Sequence, residues 1–297
     1  MAARTPLYTA LDIGTTKVVA LIAKPLPCGA FEVVGHGSHP CQGLKQGVVV
    51  DVEATTEAIR HAMGEAEVTC GHKVESVTAG IAGSHVHGMN ANGIVAVRYN
   101  EVRQQDIDRV LNAAKMISVP QDQKILHVLP REFIVDNQGG IVSALGMSGV
   151  RLEAKVHVVT VGVSVAQNLI NCAAQCGVRI RHLVLEQLAS SYAVLTEDER
   201  QLGVCVMDIG GGTADIAVYS QGAISHVGMI PIAGDHVTCD VAITLRTPIS
   251  CAEKIKVESG CVDGRMVSSS ESVVLDSACG QVQHTASRQY LAQIIQA

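Results

Sequence analysis

Two short segments of the sequence combine an aspartate, glycines and threonines in an order that suits phosphate binding. They are residues 11–17 (Leu-Asp-Ile-Gly-Thr-Thr-Lys) and residues 207–213 (Met-Asp-Ile-Gly-Gly-Gly-Thr). Glycine lets the backbone take a positive φ and come close to a ligand, so that successive N–H groups can converge on phosphate oxygens. Threonine hydroxyls add donors, and a lysine adds a positive charge. The predicted phosphate-binding residues are Gly14, Thr15, Thr16, Lys17, Gly210, Gly211, Gly212 and Thr213.

Each segment also carries one aspartate just before its turn. Asp12 and Asp208 both follow apolar residues, which places each carboxylate at the end of a predicted strand. Mg²⁺ takes oxygen ligands, keeps several of its waters and commonly uses one or two carboxylates beside substrate phosphates. We therefore predict that these two aspartates hold a hydrated Mg²⁺ ion next to the phosphates.

Similar elements must position the two segments, because apolar and β-branched residues flank each of them on both sides. This pattern predicts a strand, a glycine turn and a second strand, repeated about 195 residues apart. One such turn alone is as consistent with an ordinary hairpin as with a ligand site. The repeat favours two related halves that face each other. Rossmann and Walker sites do not fit, because neither turn opens into a helix and the Gly-Lys-Ser/Thr triplet is absent from the sequence.

Composition limits the class of protein. The 297 residues are 47% hydrophobic, 17% charged and 2% aromatic, which allows about two domains with aliphatic cores and excludes a wholly disordered chain. Runs rich in valine and isoleucine favour buried parallel strands and an α/β fold. A net charge of −6 without a basic run argues against a nucleic-acid partner.

The cysteines and the apolar runs indicate the cellular compartment and the kind of membrane association to expect. The first residues lack the apolar core of a signal peptide, and the ten cysteines stand singly, mostly within apolar runs such as 204–207. We therefore expect reduced, buried thiols in a cytosolic protein. No run reaches the ~18 apolar residues that a membrane-spanning helix needs. Any membrane association is expected to be peripheral.

Periodicity and turn residues place further elements. Apolar residues at helical spacing predict an amphipathic helix over 104–116, and the prolines and glycines around it indicate short strands, so that residues 86–155 are expected to form an α+β insertion. Residues 48–51 are predicted to return to the first sheet. The other predicted elements are strands over 31–37, 74–82, 125–129, 132–135, 156–163 and 179–185, and helices from 51 and over 164–176, 186–195, 233–245 and 251–259.

Together the two turns resemble the two phosphate loops of the actin, Hsp70 and sugar-kinase superfamily. The closer resemblance is to the FtsA family of bacterial actin-like cell-division proteins. It rests on motifs that follow one another along essentially the whole chain, at residues 44–49, 81–85, 127–132, 188–195 and 195–200 and in the second glycine turn. The fold implied is α/β and actin-like (ribonuclease H-like), with duplicated domains and the α+β insertion as subdomain 1C.

The resemblance also implies subdomains and partners. Subdomain 1A is expected over 1–85 and 156–200, subdomain 1C over 86–155, the first part of subdomain 2A over 201–232, and an incomplete subdomain 2B over 233–297. In the family, subdomains 1A and 2A bind ATP, and 2B caps the cleft and contacts FtsZ. Members also form filaments and tether FtsZ to the membrane, so the implied location is the cytoplasmic face of the inner membrane at midcell.

Three more site residues depend on this resemblance. Glu253 and Lys256 lie in a segment similar to the helix that reaches the nucleoside, and would hold the ribose and adenine; a solvated ion pair is the alternative. Glu186, at a predicted strand-to-helix junction, resembles the glutamate that orients the attacking water in related ATPases, with Gln187 as the second candidate. The alternative for Glu186 is an acid favoured by the helix dipole. Any ATPase activity is expected to be slow.

The resemblance stops at Ala297, before the family's returning part of subdomain 2A and its C-terminal amphipathic helix. On that reading we expect ATP binding to be weakened or lost and anchoring through that helix to be absent. A cytoskeletal adaptor, with ATP as a ligand that tunes polymerisation and FtsZ binding, is preferred over two other classes. A small-molecule kinase or phosphatase of the same superfamily would need a substrate pocket and a catalytic base, for which Glu186 is the strong candidate. An Hsp70-like chaperone ATPase would need a peptide-binding domain, for which no residues remain.

Overall fold

A computed structural model describes residues 6–268, 270–275 and 284–297. The chain divides into two compact units, with the boundary between Pro231 and Ile232. The strands are β1 Tyr8–Ile13, β2 Lys17–Pro25, β3 Phe31–Pro40, β4 Leu44–Lys45, β5 Val48–Val49, β6 Ser76–Ile81, β7 Val86–Ala96, β8 Gln123–Val135, β9 Gln138–Ile141, β10 Arg151–Gly162, β11 Arg179–Leu185, β12 Val204–Ile209, β13 Ala214–Ser220, β14 Ala223–Ile230, β15 Ser272–Leu275 and β16 His284–Ser287. The helices are α1 Val52–Cys70, α2 Gln104–Ala114, α3 Val163–Gln175, α4 Glu186–Val194, α5 Glu197–Leu202, α6 Gly234–Leu245, α7 Ile249–Ser259 and α8 Arg288–Gln296, with a short 3₁₀ helix at Gly264–Met266.

A five-stranded sheet in the order β11-β6-β1-β2-β3 carries the first glycine turn. Strands β1, β2 and β3 are antiparallel neighbours, whereas β6 runs parallel to β1 and to β11. Side chains along β1 alternate between the two faces of the sheet, so that Leu11 and Ile13 enter the core while Asp12 lies on the opposite face. The expectation of mainly parallel strands was wrong, because hairpins and other antiparallel pairs supply most of the strand pairing.

Helix α1 packs against β2 and β3, and α3 packs against α1 and β11. The carboxylate of Asp51 caps α1 by accepting the N–H of Ala54 at 3.0 Å, and Gly71 ends the helix with a φ of +74°. Glycine is needed where β3 meets this helix, since a Cβ on Gly37 would lie 2.0 Å from the carbonyl oxygen of Ala62. The apolar core beneath the sheet therefore forms around a close helix-to-strand contact.

Residues 48–51 do not return to the five-stranded sheet, contrary to the prediction. Strand β5 pairs instead with β4, in a two-stranded hairpin that turns at Gln46 and Gly47. Both turn residues have positive φ, +50° and +77°, as a two-residue type I′ hairpin turn requires. The short apolar run after this turn forms the return strand of a local hairpin, which the run alone does not distinguish from a strand of the larger sheet.

The insertion is an antiparallel sheet in the order β7-β10-β8-β9, with α2 packed on β7 and β10. Two predicted short strands are in fact the one strand β8. Pro130 lies at an irregularity in its pairing: Val156 pairs with Pro130 and Lys155 with Glu132, so that Arg131 is the extra residue. A proline is tolerated inside a strand at such a bulge, where a ladder hydrogen bond is already missing.

The second glycine turn lies in an antiparallel sheet in the order β12-β13-β14. Strand β12 is at the edge of this sheet, and its residues Met207 and Ile209 are 51% and 66% exposed. Cys205 is exposed on the same strand, and Cys28 and Cys239 are exposed elsewhere. The expectation of buried thiols was therefore wrong for three cysteines, although the nine cysteines in the described residues are all free.

The second unit contains α6, α7, α8 and the β15–β16 hairpin. No helix was predicted after residue 259, but Arg288–Gln296 is helical. It is capped by Ser287, whose hydroxyl oxygen accepts the N–H of Tyr290 at 3.1 Å. Buried residues of this unit's core are Val241, Ala242, Ala252, Ile255, Val273, Leu275 and Leu291. None of the helices in the described ranges is both long enough and apolar enough to cross a bilayer.

Candidate functional site

Both glycine segments form the same kind of turn between two antiparallel strands. In the first, the N–H of Gly14 donates to the carbonyl oxygen of Lys17 at 3.0 Å, and in the second the N–H of Gly210 donates to that of Thr213 at 2.9 Å. The flanking pairs β1–β2 and β12–β13 are both hairpins. The predicted repeat of strand, turn and strand is thereby confirmed.

The two turns approach each other closely. A Cβ on Gly212 would lie 2.9 Å from the hydroxyl oxygen of Thr15 and 3.4 Å from the backbone nitrogen of Gln46. Between the turns is a cleft of about 580 Å³ within the first unit. The sequence-predicted residues that line it are Asp12, Gly14, Thr15, Thr16, Lys17, Glu186, Asp208, Gly210, Gly211, Gly212 and Thr213. Folding thus brings together two sets of phosphate donors that are far apart in the sequence.

Acidic side chains gather at the floor of this cleft. Burial, and then the charge of Asp208, raise the pKa of Asp12, while Lys17 acts in the opposite direction. Burial raises the pKa of Glu186 well above its ordinary value, and the charges of Asp12, Asp215 and Asp208 add to the effect. Such mutual repulsion is relieved by a cation, so the arrangement favours binding of a metal ion or a proton.

Glu186 is the first residue of α4 and directly follows β11, as predicted. Its side chain lies over β6, since a Cβ on Gly80 would be 2.7 Å from its Oε1. Gln187 is buried beside it, and its Nε2 donates to Oδ1 of Asp215 at 2.8 Å. The carboxylate of Glu186 therefore reaches the cleft, whereas Gln187 is committed to a buried contact.

Asp215 is a residue of this region that sequence reasoning missed. It is buried, pairs in register with Asp208, and accepts the hydroxyl of Thr213 on Oδ2 at 2.8 Å. Burial raises the pKa of Asp215, while the hydrogen bonds from Thr213 and Gln187 favour its charged form. A lone acid within the apolar run 214–219 was the available signal, because buried carboxylates need partners.

Ser190 was also missed. Its hydroxyl donates to Oδ2 of Asp208 at 2.7 Å, from the first turns of α4. This bond holds one of the two predicted metal ligands against the helix that carries Glu186.

Glu253 and Lys256 lie in the second unit, on α7. Their side chains form the ion pair that helical spacing predicts, at 2.6 Å. Lys256 also donates to the hydroxyl oxygen of Thr238 at 2.8 Å and to the carbonyl oxygen of Gly234 at 3.1 Å, and Thr238 donates to Glu253. The pair thus joins α7 to α6 within its own unit, and its role toward a nucleoside stays a prediction.

The donor set suits a phosphate group with a hydrated cation. Backbone N–H groups, threonine hydroxyls and Lys17 lie beside two carboxylates around one cleft. In the described part of the chain, no three His, Cys, Asp or Glu side chains are grouped as metal ligands. An ion held by only two carboxylates would take its other ligands from water and phosphate, as Mg²⁺ commonly does.

Comparison with known proteins identifies two matching family models. Residues 83–160 match the SHS2 domain inserted in FtsA, and residues 205–296 match the model for cell division protein FtsA. The first match falls on the β7-β10-β8-β9 sheet and α2.

Close relatives match nearly the whole chain. The cell division protein FtsA of Pseudomonas aeruginosa is 49% identical over 290 residues, which are 98% of this chain and 70% of that protein. FtsA of Escherichia coli K12 is 43% identical over the same share of this chain and 69% of its own length.

Solved structures show the same fold at low sequence identity. The PilM-PilN type IV pilus biogenesis complex aligns with a TM-score of 0.63 at 15% identity, over 87% of this chain and 70% of that one. MreB5 of Spiroplasma citri bound to ADP aligns with a TM-score of 0.54 at 15% identity, over 98% and 74% of the two chains. The predicted actin-like α/β fold is confirmed.

Proposed function

Because this chain belongs to the FtsA family of cell division proteins, we propose that its cleft binds ATP with Mg²⁺ and that the bound nucleotide tunes its assembly in cell division. The observation that carries the proposal is the meeting of the two glycine turns. Gly212 lies against Thr15, so that backbone donors from both hairpins and the hydroxyl donors of the first face one cleft. MreB5 of Spiroplasma citri, which shares the fold, has been solved with ADP and with AMPPNP.

Each part of the cleft has a proposed task. The backbone N–H groups of residues 15–16 and 211–213, together with the hydroxyls of Thr15 and Thr16, bind phosphate oxygens. The N–H groups of Gly14 and Gly210 are already used within the turns, and the hydroxyl of Thr213 donates to Asp215. Lys17 neutralises part of the phosphate charge. Asp12 and Asp208 hold a hydrated Mg²⁺, which would offset the negative charge of the phosphates and of the cleft floor. On α7, Glu253 and Lys256 are proposed to bind the ribose and adenine.

Glu186 is the proposed catalytic residue. Its carboxylate lies in the cleft within electrostatic reach of both Asp12 and Asp208. A carboxylate in that position can accept a hydrogen bond from a water molecule and orient it toward a terminal phosphate. Burial and negative neighbours keep this carboxyl protonated to a higher pH than usual, so hydrolysis is expected to be slow until a cation reduces the repulsion.

The partners proposed are FtsZ, further copies of this chain and the cytoplasmic membrane. Residues 1–85 with 156–200 would form subdomain 1A, residues 86–155 subdomain 1C, 201–232 the first part of 2A, and 233–297 part of 2B, through which FtsZ would bind. The support is family membership, together with the inserted-domain match. Pelleting of this chain with FtsZ filaments, in the presence and absence of MgATP, tests the partner directly.

ATP binding is tested by isothermal titration calorimetry with MgATP on the full chain and on Asp208→Ala. Asp208 is a proposed metal ligand, and contacts to charged groups contribute enough that its loss should weaken binding about tenfold or more. Asp198→Ala removes an exposed carboxylate of α5 and should leave the affinity unchanged. No binding by the unchanged protein, or equal affinity of Asp208→Ala, would contradict the proposal.

A further inference from the structure

The Gln46-Gly47 turn contacts both the phosphate cleft and the first residues of the inserted domain, which covers residues 83–160. On one side, the backbone nitrogen of Gln46 lies 3.4 Å from the position of a Cβ on Gly212, in the second glycine turn. Gly47 itself lines the cleft. The β4–β5 hairpin, which neither half of the strand-turn-strand repeat contains, is therefore in direct contact with the region where phosphate is proposed to bind.

On its other side, the turn meets the chain where the insertion begins. A Cβ on Gly47 would lie 2.2 Å from the carbonyl oxygen of Ala82, and a Cβ on Gly83 would lie 2.6 Å from the carbonyl oxygen of Gln46. The backbone of residues 46–47 therefore touches that of residues 82–83, with no side chain between them. Gly83 follows the end of β6 and is the first residue of the inserted-domain match.

The two ends of the insertion are themselves tied together. The N–H of Gly162, at the end of β10, donates to the carbonyl oxygen of His85 at 3.2 Å. A displacement of residues 82–85 is therefore shared by the outgoing strand β7 and the returning strand β10. Those two strands are paired from Arg151–Ala96 to Val161–Val86. The inserted sheet would therefore move as one rigid unit when residues 82–85 are displaced.

The turn is held in a conformation that costs energy. Gln46 is a non-glycine residue with a φ of +50°, and glycines with φ of +77° and +125° stand on either side of the contact, at Gly47 and Gly83. Such strain persists only where the surroundings fix the backbone. Close-packed backbone contacts have little room to deform, so a shift on one side is passed to the other.

We propose that the Gln46-Gly47 turn is a coupling element through which phosphate occupancy of the cleft changes the placement of the inserted domain. The inference rests on the proposed function, since it needs a nucleotide in the cleft. Entry of a phosphate beside Gly212 shifts the turn, and the turn shifts residues 82–85. Because coupling is reciprocal, a partner that binds the inserted domain changes ATP affinity by the same factor.

The test is hydrogen–deuterium exchange, read by mass spectrometry, on the full chain with and without saturating MgATP. In the unchanged protein, exchange of peptides covering residues 82–90 and 157–162 should change about threefold or more, as expected when one hydrogen-bonded contact is altered. Gln46→Gly relieves the positive-φ strain and loosens the turn. It should still bind MgATP, while the nucleotide-dependent change in these peptides falls to less than about half.

Two variants serve as controls. Gln221→Gly makes the same substitution at a residue with nearly the same φ, +54°, in the β13–β14 turn, and should keep the full change. Gln46→Asn introduces a residue that tolerates the left-handed region. It should keep most of the nucleotide-dependent change in exchange that Gln46→Gly loses.

The outcomes separate the two proposals. If the unchanged protein binds MgATP but shows no change at these peptides, or if Gln46→Gly keeps the full change, the coupling is overturned and ATP binding stands. If calorimetry finds no binding by the unchanged protein, the proposed function is overturned and the coupling with it. If circular dichroism shows that Gln46→Gly is unfolded, the coupling is judged from the Gln46→Asn variant and the unchanged protein. Both must show the nucleotide-dependent change in exchange.

Discussion

A single added methyl group should separate the two glycine turns. In Gly212→Ala, the new Cβ would lie 2.9 Å from Oγ1 and 3.0 Å from Cγ2 of Thr15. Both distances are shorter than non-bonded contacts allow without repulsion. Relief requires that Thr15 or the turn move by several tenths of an ångström. Overpacking of this kind costs about 1–3 kcal/mol, which is roughly a 5- to 150-fold loss of ATP affinity if binding needs the close arrangement.

The assay is calorimetry with MgATP on a double-mutant cycle of Gly212→Ala and Thr15→Ala. Thr15→Ala removes both atoms that the new methyl group would meet, so that Gly212→Ala should cost less than about threefold in this background. Gly139→Ala is the control for the substitution itself, because a Cβ there has its nearest neighbour at 3.6 Å and should leave affinity unchanged. An equal loss from Gly212→Ala in both backgrounds would show that the two turns do not touch at Gly212 and Thr15.

Three further predictions concern the floor of the cleft. Burial and negative neighbours raise the pKa of Glu186 in the folded state. This carboxyl therefore stays protonated in the folded protein above pH ~4.5, where it ionises in the unfolded chain, and its contribution to stability falls as pH rises through that range. Glu186→Gln should raise the thermal midpoint at pH 8 and change it little near pH 4.5, and an effect of this variant that shrinks as pH rises would contradict the pKa shift. Asp215→Ala leaves the buried donors of Gln187 and Thr213 without a partner and should destabilise the first unit by about 1–3 kcal/mol in denaturant unfolding. The control Asp198→Ala should have little effect, and equal stabilities of the two variants would count against these hydrogen bonds. Ser190→Ala frees Asp208 from its 2.7 Å hydrogen bond and should weaken MgATP binding about two- to tenfold in calorimetry; unchanged affinity would show that the serine does not position this carboxylate.

The sequence predicts the two glycine hairpins well, because the information for them is local. Apolar and β-branched residues specify the strands, glycine specifies each turn, and the repeat indicates that the two hairpins belong to one site. Strand β11 and the start of α4 at Glu186 were also predicted where they occur. In each case the residues that determine the element lie within the element.

The features that sequence reasoning missed depend on contacts between distant segments. The contact of Ser190 with Asp208 and that of Gln187 with Asp215 depend on how α4 packs against β12 and β13. Residues 48–51 were assigned to the larger sheet because a short apolar run does not reveal its pairing partner. Helix α8 was missed because it has only nine residues, so that its apolar face gives a short periodic signal.

A crystal structure of the full chain with AMPPNP and Mg²⁺ would show whether a nucleoside triphosphate binds between the two glycine turns. We expect triphosphate density in contact with the backbone of residues 14–16 and 210–213, and a metal ion beside Asp12 and Asp208. Density for the nucleotide elsewhere on the molecule, or an empty cleft in crystals grown at saturating AMPPNP, would contradict it.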